Sequence, residues 1–249
     1  MRRFLLALLC LLPFVAHEAH ALNISGETVV IPVIGRFPGA GGSQWQTDVF
    51  IANPSTSTYP FTLKFYPSGE GVQERTFTME PNSVRTFTDI CLNTFGRTNT
   101  GGVLEIHVAI YTPQVRARIY NVGNPAGQFG QGVAGIGIGH LTRQAYLYGL
   151  SATATSRVNV GVANPNDVPT PVAFFVYDHA GAIIHTHYAT VQPHQFVQFN
   201  DIVVTFGIAP QEGLAINIES GGERVYGYAS EVRNDTGDAV FTFGLSPNS

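Results

Sequence analysis

The sequence predicts an all-β protein: two tandem β-sandwich domains behind a cleaved signal peptide. Three observations predict it. Charged residues are 12% of the chain, about half the usual share of a soluble domain, and no long segment repeats its apolar residues at helical period, which excludes a helical bundle or coiled coil. Short apolar and aromatic runs alternate with Gly, Pro, Asn and Asp turn signals at the roughly 8–12-residue spacing of sandwich strands. The chain also repeats itself from one half to the other. With 44% hydrophobic residues it can bury a real core, so the sparse charge does not mean disorder.

The leader comes first. Arg2 and Arg3 precede an apolar stretch at 4–16, and Ala19-His20-Ala21 sets small residues where a signal peptidase would cut before Leu22. That stretch is too short for the roughly 20 residues of a membrane-spanning helix. A secreted or periplasmic, extracytoplasmic location is therefore expected, with residues 1–21 removed and no integral membrane segment in the mature chain. Cleavage leaves Cys91 as the only cysteine, so no intramolecular disulfide can form and Cys91 reads as a small buried hydrophobe.

The repeat sets the domain plan. Ala52-Asn53-Pro54 returns as Ala163-Asn164-Pro165, 111 positions later, and the segment 60–66 matches 171–177 at the same offset. Phe87-Thr88-Asp89-Ile90 matches Phe199-Asn200-Asp201-Ile202, Thr94-Phe95-Gly96 matches Thr205-Phe206-Gly207, and Asn124-Pro125-Ala126-Gly127 falls on Asn234-Asp235-Thr236-Gly237. These anchors are collinear. They divide the mature chain into repeats over 22–135 and 136–249.

Within each repeat the strands follow in order. Segments 47–52 and 158–163 end at Asn-Pro, which favours a turn. Segments 61–66 and 172–177 are aromatic and β-favouring, and Pro67-Ser68-Gly69 and Asp178-His179-Ala180-Gly181 then supply hairpin turns. Further strands are expected at 72–79, 83–88, 103–109 and 115–121. About seven strands in about 110 residues suit an immunoglobulin-like sandwich. Asp89 and Asp201, each following a strand and preceding a brief apolar stretch, read as N-caps of short helical turns, a role that explains both copies independently; the other reading, a glycosidase carboxylate pair, would need the two to converge across domains.

Composition and motifs narrow the function. The formal charge of −4 and a single lysine, Lys64, argue against a nucleic-acid partner. Gly130-Gln131-Gly132-Val133-Ala134-Gly135 fits the dinucleotide pattern G-x-G-x-x-G, but the following Ile136-Gly137-Ile138-Gly139 is poor helix material, so the segment reads as a flexible inter-repeat connection. No nucleophile elbow, Walker loop or zinc-peptidase motif is present. No cofactor is implied.

Two features are not shared by the repeats. His179, His185, His187 and His194 cluster in the second, and His185 and His187 stand on one strand face. Two imidazoles on one face could join a zinc or copper site if a third ligand converged. Their first-repeat counterparts, Gln73 and Arg75, favour the simpler reading of a solvated face. Trp45, the only tryptophan, follows a Gly-rich loop and is the candidate ligand-binding residue, since aromatic rings anchor sugars and partner surfaces.

The stretch 33–54, with its Pro-Gly-Ala-Gly-Gly-Ser-Gln-Trp-Gln-Thr-Asp segment at 38–48, together with 147–165 and Phe65-Tyr66-Pro67-Ser68-Gly69, resembles an uncharacterised family of exported bacterial tandem-repeat proteins. The resemblance implies tandem immunoglobulin-like sandwiches and carries no known activity or functional residue. The expected function is that of a non-enzymatic exported binding or structural module with a protein or glycan partner, using loops at the sandwich ends. The alternative is a secreted hydrolase or metal-binding protein built on the second-repeat histidines and carboxylates such as Asp178.

Overall fold

A computed structural model describes residues 28–39, 42–109 and 113–246, so the expected leader lies outside the described residues. These are almost entirely strand and loop, with two helical turns of one turn each and all sheets antiparallel. The first half runs β1 (Thr28–Pro38), β2 (Gln44–Asn53), β3 (Tyr59–Pro67), β4 (Gln73–Met79), β5 (Ser83–Phe87), α1 (Ile90–Asn93), β6 (Thr100–Val108), β7 (Gln114–Asn121) and β8 (Phe129–Ala134). After β9 (Ile136–Gly137) and a 3-10 turn at Ile138–His140 come β10 (Gln144–Ala152), β11 (Ser156–Ala163), β12 (Thr170–Tyr177), β13 (Ile183–Val191), β14 (Phe196–Phe199), α2 (Ile202–Phe206), β15 (Gln211–Ser220), β16 (Tyr226–Arg233) and β17 (Ala239–Phe243). β9 pairs with β1, so the sheets change hands between Gly137 and Gln144.

Strand order is the same in both halves. The first half has the orders β4-β3-β6-β1 and β5-β2-β7-β8, joined where the ends of β1 and β2 pair as a hairpin. The second has β13-β12-β15-β10 and β14-β11-β16-β17. The expected immunoglobulin-like order needs correcting here. An immunoglobulin sheet seats its second strand between the first and fifth. In this chain β6 lies beside β1, and β2 crosses at once to the other sheet. Periodicity marks where strands are and which side chains face inward, but not which strand each will pair with.

A second expectation also changes. The Gly-rich segment read as a flexible connection forms β8, paired with β7 from Asn121↔Phe129 to Arg116↔Ala134. Gly130 has a steric cause, since a Cβ there would lie 2.2 Å from the Ile119 carbonyl oxygen.

Alternation works where one face of a strand is covered. On β3, Tyr59, Phe61, Leu63 and Phe65 turn inward between half-exposed neighbours, and on β12 Val172, Phe174 and Val176 do the same. On β1 and β6 nearly every residue is buried, because the second half covers the outer face of that sheet. Pro32 interrupts β1 where the register shifts between Ile31 and Ile34, the bulge position that tolerates a missing N–H. Two apolar clusters result. One lies within the second half. The other fills the first half and is completed by Ala163, Tyr226 and Tyr228 from the second.

Buried asparagines hold the corresponding corners. Asn53 donates from Nδ2 to the carbonyls of Ser57 and Glu80, and its Oδ1 accepts from the Ser55 backbone N–H. Asn164 repeats this with the Val168 and Val191 carbonyls and the Asn166 N–H. Each side chain replaces backbone bonds that the turn cannot make.

Candidate functional site

The outer face of the β14-β11-β16 sheet meets the Trp45 end of the first half across a cleft of about 540 Å³. Register explains what lines it. Asn159 stands opposite Ser230, Gly161 opposite Tyr228 and Gln198, and Arg157 opposite Val232, all pointing away from the second-half core. Val33, Phe37, Trp45, Ile119 and Gln131 supply the facing wall. A smaller cavity of about 210 Å³ continues from it, and Trp45 and Arg157 line both.

Local chemistry fixes these side chains. Trp45 pairs with Phe37 across the β1–β2 hairpin and donates its indole N–H to Ser43 Oγ at 3.0 Å. Gly39 makes room for it, since a Cβ there would sit 2.4 Å from the indole nitrogen. The Tyr228 ring lies across Gly161, whose Cβ would come within 2.4 Å of Tyr228 Cζ. Tyr228 then donates to Gln198 Oε1 at 3.0 Å, and Gln198 Nε2 donates to Asn200 Oδ1 at 2.7 Å. Ser230 donates to Gln131 Oε1 across the cleft at 2.7 Å. Burial pushes the Tyr226 and Tyr228 phenols far above their ordinary value, so both are neutral.

Below the cleft the halves are joined by polar contacts. Tyr226 donates to the Ala134 carbonyl at 2.7 Å, and Asn124 Nδ2 donates to that of Thr236 at 2.9 Å, bringing the two corresponding turns together. Glu105, 2% exposed on the outer face of β6, has His194 Nδ1 at 2.8 Å on one oxygen and His107 Nε2 at 2.9 Å on the other. His194 also reaches Asp167 at 2.9 Å and stacks on Tyr66 with ring centroids 4.3 Å apart. Nothing in the sequence pairs residues 105 and 194, because the contact exists only once the halves dock.

The histidine group disperses. His179 is exposed in the β12–β13 turn and His194 sits in the β13–β14 corner. His185 and His187 share a face of β13, as alternation predicts, but that face is not the solvated one. His185 stacks on Phe206 at 4.5 Å and His187 packs edge-on against Phe199 at 4.6 Å. Arg75, the counterpart of His187, lies over Phe95, the counterpart of Phe206, so the polar position in each half rests on the same aromatic. Burial, with the neighbouring His187, lowers the His185 pKa. Among the described residues no three His, Cys, Asp or Glu side chains are arranged to hold a metal ion. Asp178 Oδ1 is engaged by the Ala180 and Ala182 N–H groups of its own turn.

Asp89 and Asp201 occupy the N-cap positions of α1 and α2, but neither side chain caps. Both adopt left-handed backbone, φ 42 and 47, which Asp tolerates better than most residues. Their backbone N–H groups are bound by Asp48 Oδ1 and Asn159 Oδ1 at 2.8 and 3.0 Å, while the Asp89 carboxylate pairs with Arg36. Cys91 is buried in the first-half cluster, where burial pushes its thiol up to about 12.

Among the described residues no helix is long and apolar enough to cross a membrane. No known protein family and no curated protein matches the chain. Among solved structures it is similar to Thermotoga maritima 1070, with 15% identity and a TM-score of 0.36 over 42% of this chain and 93% of that one.

Proposed function

We propose that the protein is an exported, non-enzymatic binding module whose two tandem sandwich repeats hold a ligand in the cleft between them. The leader supports export, and the sequence repeat together with the shared strand order supports two repeats. The cleft itself carries the reading: its volume falls within the roughly 300–1,000 Å³ of small-molecule sites, and it combines aromatic walls with a few fixed polar groups. Strand faces and the Trp45 hairpin supply the contacts, in place of the sandwich-end loops that the sequence suggested.

Trp45 makes this testable. As the only tryptophan in the chain, its emission reports the cleft alone. A panel of oligosaccharides, peptides and zinc is titrated while fluorescence and melting are followed. A true ligand at 100 times its Kd adds about 2.7 kcal/mol of stability and shifts the Trp45 emission, and the stabilisation is lost in Trp45→Ala. Stabilisation by zinc that persists in Trp45→Ala and vanishes in His185→Gln would replace this reading with the histidine one.

A further inference from the structure

The cleft is built unevenly in hydrogen-bonding terms, and the imbalance points to a ligand class. Four neutral amides line it: Gln198 is engaged within the protein at both ends, its Oε1 accepting from Tyr228 and its NH₂ donating to Asn200, and in the other three the carbonyl oxygen is already used by the protein. Gln131 Oε1 accepts from Ser230, Asn159 Oδ1 from the Asp201 N–H, and Asn200 Oδ1 from Gln198. The Asp201 N–H, which can only donate, fixes which way the Asn159 amide faces, while the Ser230 and Tyr228 hydroxyls donate in the bonds that orient Gln131 and, through Gln198, Asn200. Among the described residues the three NH₂ groups are left without a protein partner. Arg157 adds a cation: Nη1 donates to Asn234 Oδ1 at 2.9 Å, and no carboxylate among the described residues pairs with it. No Asp or Glu lines the 540 Å³ cavity.

The equivalent face of the first half shows that this is not a property of the fold. By strand register Asp48 stands where Asn159 does, Arg116 where Tyr228 does and Thr86 where Gln198 does. There the charges consume one another's hydrogen-bonding capacity: Asp48 Oδ1 takes both the Asp89 N–H and the Tyr120 hydroxyl, and Arg36 takes the Asp89 carboxylate. In place of charged groups bonded within the first half, the second half has neutral amides with donors to spare.

We infer that the cleft binds an acidic saccharide, a sugar chain bearing ring carboxylates, with Arg157 receiving the carboxylate. The inference rests on the cleft being a binding site, as proposed above. Sugar rings offer C–H faces to Trp45 and Phe37. Their hydroxyl and ring oxygens accept from the three amides, and a carboxylate forms a charge-assisted pair with guanidinium. A peptide strand fits less well, because its N–H groups can only donate, whereas each sugar hydroxyl can turn its lone pairs to the amide NH₂ groups. The cavity continues past Trp45 and Arg157 into the smaller compartment, where the one acid, Asp235, is paired with Arg233 at 3.3 Å, so an oligomer can run from one compartment to the next.

The test uses the mature protein with three uronate probes: trigalacturonate, a mannuronate trimer and a hyaluronan tetrasaccharide. Their methyl esters serve as neutral matches, and a short polar peptide as the competing class. At least one uronate is expected to shift Trp45 emission saturably. Arg157→Gln, checked to melt like wild type without ligand, should weaken that uronate about tenfold or more and leave its methyl ester within about twofold. Equal binding of acid and ester, or binding of the peptide with no uronate bound, would overturn the acidic-sugar inference and leave the cleft a binding site. Silence from every probe at Trp45 would overturn both.

Discussion

His194→Asn isolates the junction between the halves with little disturbance to the backbone. His194 has φ 55, and its first-half counterpart Asn82 has φ 49, so asparagine already serves this corner once. The substitution removes the imidazole that satisfies Glu105 Oε1. Breaking a buried pair by removing one partner costs about 3–5 kcal/mol when the remaining charge is fully stranded. Here the loss is smaller, since Glu105 keeps His107, the His194 side chain is 21% exposed, and the Asp167 contact lies in open water. About 2–3 kcal/mol is expected, which lowers Tm by about 4–12 °C for a chain of this size. Calorimetric melting measures it. In the double variant Glu105→Gln/His194→Asn no buried carboxylate is stranded, so its loss should be at least about 1 kcal/mol less than the sum of the two single losses. A Tm within about 2 °C of wild type for His194→Asn, or strict additivity in the double variant, would refute a buried carboxylate held between the halves.

Gly161→Ala should cost about 2–4 kcal/mol in chemical denaturation, because the new Cβ overlaps the buried Tyr228 ring and its hydrogen bond to Gln198. Asp89→Asn should change stability by less than about 1 kcal/mol, since Asn tolerates left-handed backbone and can accept from Arg36; Asp89→Ala should cost about 2–3 kcal/mol. For His185 the folded ring holds its proton less tightly than the unfolded one, so acidification through about pH 6.5 removes stability until the folded ring also titrates. A melting series over that range should show the slope in wild type and a shallower one in His185→Phe. Cys91 should stay unmodified by a thiol reagent in native protein and react at once in denaturant.

Where the sequence was legible, it was so through patterns local to a strand. The inward faces of β3 and β12 follow directly from alternation, and β2, β4 to β7 and β11 fall close to their expected places. β1 carries too few alternating residues to be recognised, because both its faces are covered, one of them by the second half. β8 looked like a linker because it is rich in glycine, one of which, Gly130, answers to a neighbouring carbonyl that no local pattern encodes. Among the candidate residues, Trp45 lines the cleft, whereas His185 and His187 turned out to be wedged among Phe199 and Phe206. The missed residues, Gln131, Asn159, Asn200 and Glu105, belong to surfaces that exist only when the halves meet. A signal for two of them was present in the alignment of the chain with itself: Asp48 becomes Asn159 and Thr88 becomes Asn200 at otherwise matching positions.

Tyr226, Tyr228 and Phe196 lean on the first half, while their register equivalents Gln114, Arg116 and Val84 lie on the first half's own uncovered sheet face, with Arg116 over Phe50. The contact that welds the pair is thus one-handed, and a third unit added upstream would find a cationic landing where the existing joint uses tyrosine. A further copy docked on that face would therefore need a different chemistry from the joint between these two halves.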